Sequence, residues 1–180
     1  MAQPTLSKIS VGVMGSGTSE YDEYARPVGE ALADMGVNLL TGGGGGVMTA
    51  VSRAFTRMPT RRGICIGIIP CASERDRGTA KAGYPNEFVE LPIYTHLPYS
   101  GRQGTDDLSR NHINVLSCAA IVALPGEDGT AAEVSLALRY GKPVVVYSSV
   151  RELVERFPHQ ATRVDSIEAV RQFLQPYVVL

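Results

Sequence analysis

In the stretch Ile9-Ser10-Val11-Gly12-Val13-Met14-Gly15-Ser16-Gly17, an apolar run leads directly into a glycine turn. Residues 20–35 follow, with apolar side chains at helical spacing and Gly36 as the stop. The beginning of the chain therefore predicts a strand at residues 9–14, a glycine turn and a helix.

The same strand-then-helix unit recurs along the chain. Further strands are predicted at residues 37–40, 64–69, 88–91, 119–124, 143–147 and 162–164. Further helices are predicted at residues 47–57, 107–117, 130–140, 149–156 and 166–175, and residues 71–84 and 92–104 are predicted as loops. Apolar strands that alternate with helices indicate a Rossmann-like, doubly wound α/β fold, with a mostly parallel sheet and helices on both faces. No linker or repeat divides the chain, so residues 1–180 are expected to form one domain.

Composition excludes several classes of function. The chain has 180 residues and a net charge of −1, with no basic block, so a nucleic-acid partner is not expected. No apolar run approaches a membrane span, and residues 1–8 lack a signal pattern. The odd set Cys65, Cys71 and Cys118 has no CxxC spacing, which disfavours disulfides and zinc. Cys65 and Cys118 are predicted core residues, and a cytoplasmic location is expected.

Three glycine-bearing turns follow predicted strands, and ligands of open parallel sheets bind beyond such strand ends. Glycine lets the backbone approach an anion, and a following helix offers free N–H groups to phosphate. The predicted phosphate and nucleotide residues in these turns are Gly15, Ser16, Gly17, Gly42, Gly43, Gly44, Gly45, Gly46, Val47, Met48, Pro125, Gly126, Gly129 and Thr130.

Two common nucleotide motifs are absent from the sequence. The position of a third glycine after Gly15-x-Gly17 holds Glu20, and no acid follows the second strand to bind a ribose diol. No Gly-Lys-Ser/Thr follows a glycine loop either. NAD binding and ATP hydrolysis are therefore disfavoured.

A polar stripe precedes the last glycine turn. Asp107, Arg110, Asn111 and Asn114 have the spacing of one helix face. That face is either solvated or binds a ligand, and asparagine is a poor choice in a helix interior unless it has a function. Arg110 and Asn111 are therefore added to the predicted binding residues.

Glu133 has two competing interpretations. Thr130-x-x-Glu133 has the spacing of a capping box, in which both side chains satisfy N–H groups at a helix start. Alternatively, Glu133 projects into the cleft as a carboxylate. Spacing alone favours the cap.

No metal site is expected. The histidines, His96, His112 and His159, have no metal spacing and are interpreted as structural or surface residues. An acidic group, Asp106, Asp107, Glu127 and Asp128, has the chemistry to gather magnesium, but turn and cap roles are favoured. Arg61 and Arg62 are predicted to be solvated.

Together, Gly15-Ser16-Gly17, Thr41 to Met48, Arg110-Asn111 and Pro125-Gly126-x-x-Gly129-Thr130-x-x-Glu133 resemble the LONELY GUY superfamily. Its label as a lysine decarboxylase reflects no pyridoxal chemistry. One branch hydrolyses the N-glycosidic bond of nucleoside 5′-monophosphates to free base and ribose 5-phosphate. The other resembles molybdenum-cofactor carrier proteins and binds a phosphorylated pterin or nucleotide without known turnover.

The departures from the hydrolase motif favour the carrier-like branch. Gly17, Val47-Met48 and Asn111 match the carrier pattern, and Glu127 stands where the hydrolase motif has its second glycine. The resemblance implies a small phosphorylated ligand, either an AMP-like nucleotide or molybdopterin, no required cofactor, and a homodimer. Arg110 and Glu133 match the hydrolase's catalytic positions and would be catalytic only in a phosphoribohydrolase.

Overall fold

A computed structural model describes residues 9–178 of the chain; residues 1–8, for which the sequence predicts no signal pattern, lie outside the described part. The strands are β1 Ser10–Met14, β2 Asn38–Thr41, β3 Cys65–Ile69, β4 Leu91–Tyr94, β5 Ala120–Ala123, β6 Val144–Tyr147 and β7 Thr162–Val164. The helices are α1 Asp22–Asp34, α2 Val47–Arg57, α3 Asn111–Leu116, α4 Asp128–Arg139 and α5 Ile167–Leu174. Short 3₁₀ turns lie at Gly101–Gln103, Arg151–Val154 and Gln175–Tyr177.

The seven strands form one sheet in the order β4-β3-β2-β1-β5-β6-β7, and every neighbouring pair is parallel. The chain winds outward from β1 to β4, returns to β5 beside β1, and winds outward again to β7. This confirms the predicted Rossmann-like, doubly wound α/β fold.

Alternate strand residues supply a separate core on each face of the sheet. Val11, Val13 and Leu39 belong to the core of one face, with Val51 and Phe55 of α2. On the other face, Ile121 and Ala123 pack with α4 and with Phe157, while α1 contacts both α2 and α5 on the first face. Helices on both faces are thus confirmed.

The cysteines are free thiols, and Cys65 and Cys118 lie in these cores as predicted. Burial raises the pKa of Cys65 to about 11 and that of Cys118 to about 12. Both thiols therefore stay protonated near neutral pH, which fits packing rather than reactivity.

The fourth strand begins three residues later than predicted. Asn86 makes a turn by accepting hydrogen bonds from the backbone N–H groups of Phe88 and Val89, at 3.1 and 3.2 Å. Residues 88–90 are therefore not extended. Pro92 is tolerated in β4 because this is an edge strand.

Two predicted helices are shorter than expected. Asp107 is exposed and outside α3, because residues 106–109 form a turn in which Ser109 N–H donates to the Asp106 carbonyl at 2.9 Å. The predicted helix at residues 149–156 is only the 3₁₀ turn Arg151–Val154. There Arg163 donates to the carbonyls of Val154 and Phe157, at 2.9 and 2.8 Å, and so takes acceptors that a longer helix would need.

None of the helices within residues 9–178 is long and apolar enough to cross a membrane.

Arg61 was predicted to be solvated, but it is hydrogen-bonded. It donates to the Glu90 carboxylate at 2.9 Å and to the Gly63 carbonyl at 2.8 Å. Arg62 is exposed.

Candidate functional site

The candidate site lies where the sheet changes its winding direction. Neighbouring strands β1 and β5 lead to loops that run apart at their carboxyl ends, and such a switch point opens a crevice. The loop after β2 forms a third wall. The three predicted glycine turns therefore meet at one edge of the sheet.

A cleft of about 160 Å³ opens between these loops. Nine of its lining residues are predicted site residues: Gly15, Gly17, Gly42, Met48, Arg110, Asn111, Gly129, Thr130 and Glu133. Six others line it without having been predicted as site residues: Val13, Met14, Tyr84, Ser100, Gly101 and Glu127.

The remaining predicted residues hold the loops together instead of lining the cleft. They are Ser16, Gly43, Gly44, Gly45, Gly46, Val47, Pro125 and Gly126. Ser16 connects all three loops, since its N–H donates to the Pro125 carbonyl at 3.0 Å and its carbonyl accepts from Val47 N–H at 2.9 Å. These residues set the spacing of the cleft walls.

Two backbone N–H groups of the first glycine loop are already engaged within the loop. The Ser16 hydroxyl oxygen accepts from the N–H groups of Thr18 and Ser19, at 3.2 and 3.0 Å. The following helix starts with two acids, Asp22 and Glu23, in its first turn. The engaged N–H groups and the two nearby acids both disfavour an anion at this loop.

Helix α4 offers a better anion partner. Its first backbone bond runs from Ala131 N–H to the Glu127 carbonyl, at 3.1 Å. The N–H groups of Asp128, Gly129 and Thr130 therefore have no partner within the helix. Gly129 and Thr130 line the cleft.

Among residues 9–178, Arg110 is the only cation that lines the cleft, and it is buried without a hydrogen-bond partner at two of its nitrogens. Its residue surface is 5% exposed, and Nε and Nη1 have no partner. The guanidinium carbon lies 5.6 Å from the centroid of the Tyr84 ring. A Cβ at Gly42 would collide with the guanidinium, so the absence of a side chain there lets Arg110 pack on the loop in this position. A buried cation normally needs a partner, and the cleft is where a partner can reach it.

Glu133 faces the cleft and is not a helix cap. Helix α4 starts at Asp128 with Glu127 as its N-cap, so Thr130 is the third helical residue, and the capping-box interpretation is wrong. Glu133 is 8% exposed and accepts a 2.7 Å hydrogen bond from Asn114 Nδ2. The Asn114 Oδ1 atom is buried without a partner.

Burial raises the pKa of the Glu133 carboxyl, while the Arg110 charge and the Asn114 hydrogen bond oppose that rise. A folded-state pKa above the unfolded value of 4.5 means that the carboxyl favours folding most when it is protonated. This contribution is complete below 4.5 and is lost as pH rises through the raised pKa.

Glu133→Gln is therefore expected to gain stability over the wild type as pH rises. The difference in the free energy of unfolding should be small near pH 5 and larger at pH 8, as measured by urea denaturation. Exposed Glu152→Gln serves as the control and should show no such trend. An equal difference at both pH values would contradict the burial of an ionisable Glu133.

Metal ligands do not gather within residues 9–178, where no group of three or more His, Cys, Asp and Glu is placed to hold an ion. Asp128 pairs with Arg102 and Arg156, at 3.2 and 3.5 Å. His112 lies 2.7 Å from the Tyr140 hydroxyl, which is a structural contact.

A second, larger depression of about 550 Å³ lies at the carboxyl ends of β6 and β7. Its charged side chains are exposed or already paired, as Arg163 is. The buried side-chain atoms without partners in the described chain all belong to Arg110 and Asn114. We therefore assign the functional site to the smaller cleft.

Tyr84 is the lining residue that sequence patterns gave least reason to expect. It ends the polar loop at residues 71–84, and its ring packs so closely on Gly44 that a Cβ there would lie 2.5 Å from the ring. Asn86 fixes the segment by donating to the Gly44 carbonyl at 2.8 Å. These tertiary contacts, together with the Tyr84 ring against Arg110, bring the loop to the cleft.

Comparison with known proteins gives the family. Residues 8–174 match the model of the SLOG cluster4 family. The chain belongs to this family. This SLOG cluster4 protein is 30% identical over 141 residues to an uncharacterized protein of Archaeoglobus fulgidus, covering 77% of this chain and 80% of that protein.

Two similar solved structures carry a functional description. One is the molybdenum cofactor binding protein of Rippkaea orientalis, 28% identical over 97% of this chain and 100% of that chain, with a TM-score of 0.72. The other is the Moco carrier protein of Chlamydomonas reinhardtii, 30% identical over 94% of this chain and 99% of that chain, with a TM-score of 0.67. The predicted superfamily and its carrier-like branch are confirmed, and the SLOG cluster4 protein has a ligand-binding fold.

Proposed function

We propose that this protein binds a small phosphorylated heterocycle, either a pterin of the molybdopterin type or a purine nucleotide, in the cleft between β1 and β5. The observation that carries the proposal is the Arg110 guanidinium, 5% exposed with Nε and Nη1 unpartnered. A phosphate oxygen would supply the missing acceptors through charge-assisted hydrogen bonds. Gly129 and Thr130, at the start of α4, line the same cleft.

The similar structures favour the pterin among these ligands. The Rippkaea orientalis protein is described as binding the molybdenum cofactor, and the Chlamydomonas reinhardtii protein as carrying it. By this resemblance, we propose molybdopterin as the first ligand to test and AMP as the second. No further cofactor is proposed for binding.

Titration calorimetry with molybdopterin, AMP, adenosine and inorganic phosphate tests the proposal. The phosphorylated heterocycles are expected to bind more tightly than adenosine by about 10-fold or more, since a hydrogen bond to a charged group contributes about 1.5–3 kcal/mol. Thermal unfolding should shift upward with the same ligands. Equal binding of AMP and adenosine would contradict a phosphate contact at Arg110.

Phosphoribohydrolase activity is the second candidate, because Glu133 is free of the cap and lies in the cleft beside Asn114. In that reaction, Glu133 would activate water or stabilise an oxocarbenium-like ribose, as carboxylates do in other glycosidic cleavages. Arg110 would hold the substrate. These two residues would then be catalytic.

Incubation with AMP and N6-substituted AMP separates the two candidates, with free base and ribose 5-phosphate as the readout. Turnover that Glu133→Gln abolishes would support the hydrolase. Binding of molybdopterin without any turnover of AMP would support the carrier.

A cytoplasmic homodimer is part of the same proposal. Leu116 at the end of α3 is 49% exposed, Tyr140 at the end of α4 is 37% exposed, and the two helices contact each other. An exposed apolar surface on two contacting helices suits a second copy of the chain. Light scattering would report the mass in solution.

A further inference from the structure

Glu127 lies in the third glycine turn, at the N-cap of α4, and its side chain reaches the first glycine loop at the cleft. Its carboxylate Oε1 accepts from the Ser16 hydroxyl at 2.8 Å, although the two residues are 111 positions apart. Because the Ser16 oxygen already accepts from the N–H groups of Thr18 and Ser19, its own proton is available for Glu127. The carboxylate is thereby oriented by a hydroxyl whose own position is fixed.

The cleft is consequently polarised. Glu127 gives the first-loop side a negative charge, whereas Arg110 lies on Gly42, on the side of the second loop, where its charge also acts on the Glu133 carboxyl. Phosphate at the first loop would be repelled by Glu127 and would find the Thr18 and Ser19 donors engaged. A ligand that suits both ends carries its anion toward Arg110 and its hydrogen-bond donors toward Glu127.

The surface beside Glu127 suits a planar ring. Gly17 has no side chain, and the Met48 methyl lies 3.9 Å from where a Gly17 Cβ would stand. The Met48 sulfur is held in turn by the Gly44 N–H, at 3.4 Å. Glycine backbone and a thioether form a flat, apolar contact for a heterocycle.

We propose that Glu127 is a specificity residue that binds the donor edge of a 2-amino-4-oxopyrimidine ring, the edge shared by pterins and guanine. That edge presents a ring N–H and an amino group side by side, which match the two acceptor oxygens of a carboxylate. Adenine lacks this pair. The inference rests on the proposed function and adds the orientation and the ring class of the ligand.

GMP and IMP give the sharpest test, because they differ only in the 2-amino group. The wild type is expected to bind GMP about 10-fold or more tightly than IMP, the effect of one hydrogen bond to a charged group. In Glu127→Gln the ratio should fall toward one, and affinity for inorganic phosphate should rise several-fold because a repulsive charge has been removed. Glu152→Gln, an exposed control, should behave as the wild type.

Each contrary outcome has a distinct meaning. Equal affinity of the wild type for GMP and IMP, unchanged by Glu127→Gln, would overturn the inference and leave the proposed function intact. A larger loss for 2′-deoxy-GMP than for IMP would assign Glu127 to the ribose and also overturn it. Failure of every phosphorylated ligand to bind the wild type would overturn the proposed function itself. The affinities of the wild type for molybdopterin and for GMP then show whether Glu127 prefers the donor edge of a pterin or that of guanine.

Discussion

Arg110→Met is expected to abolish binding of phosphorylated ligands without unfolding the ligand-free protein. Arg110 has two buried nitrogens without partners, and a methionine of similar length would remove that unsatisfied charge. That gain is opposed by the loss of the Arg110 charge, which favours the ionised Glu133 carboxyl, so we expect the free energy of unfolding to change by no more than about 1–2 kcal/mol. Affinity should fall by about 100-fold or more, since two charge-assisted hydrogen bonds are lost. Urea denaturation and calorimetry measure the two effects.

Arg102→Met is the matched control for this variant. The Arg102 side chain is 92% exposed and pairs with Asp128 near the cleft opening, so its loss should change stability and affinity only slightly. Arg110→Lys should retain part of the affinity, since it keeps the charge but loses the planar donor geometry. Destabilisation of the ligand-free protein by Arg110→Met, with affinity retained, would show that Arg110 is structural.

Gly46→Ala is expected to destabilise the protein by about 3 kcal/mol, through backbone strain and overpacking. Gly46 has φ of 61°, and a Cβ would collide with the Ser16 carbonyl and lie 2.7 Å from the Thr18 nitrogen. Because the first and second loops meet at this point, the cleft walls should separate and ligand affinity should fall as well. Thermal and urea unfolding measure the loss of stability.

Gly78→Ala is the comparison, because nothing lies within 4 Å of its Cβ position. It should leave the free energy of unfolding nearly unchanged. If the two alanine variants were equally stable, the close packing of the first two glycine loops would be wrong.

The sheet could be predicted because each of its strands is a local apolar run with a local stop. The glycine turns after residues 14 and 41 could also be predicted, because a change from apolar residues to glycine is visible in the local sequence alone. The edge strand β4 was misplaced because its neighbour Asn86 makes a turn that apolar content alone does not reveal. Edge strands also carry the weakest burial signal, and Leu91 is 46% exposed.

Only part of the candidate site could be predicted from the sequence. Two asparagines in a predicted helix indicated a binding face, and Asn111 and Asn114 are indeed buried beside Arg110. The spacing from Thr130 to Glu133, by contrast, could not reveal that α4 begins two residues earlier and leaves Glu133 free.

Contacts between segments that are distant in the chain could not be predicted from the sequence. Tyr84 reaches the cleft by packing on Gly44, and Glu127 turns away from its own helix to accept from Ser16. Both contacts depend on how the loops fold over one another. They are also the contacts that determine the shape and charge of the cleft.

Native mass spectrometry of the protein, purified from cells and then supplied with molybdopterin, AMP, GMP and phosphate, shows whether the cleft holds a phosphorylated ligand through Arg110. We predict that the wild type retains a phosphorylated heterocycle, identified by its mass, and that Arg110→Met prepared in the same way retains none. A wild type that holds none of these ligands, with no rise in Tm at saturating concentrations, would contradict the account.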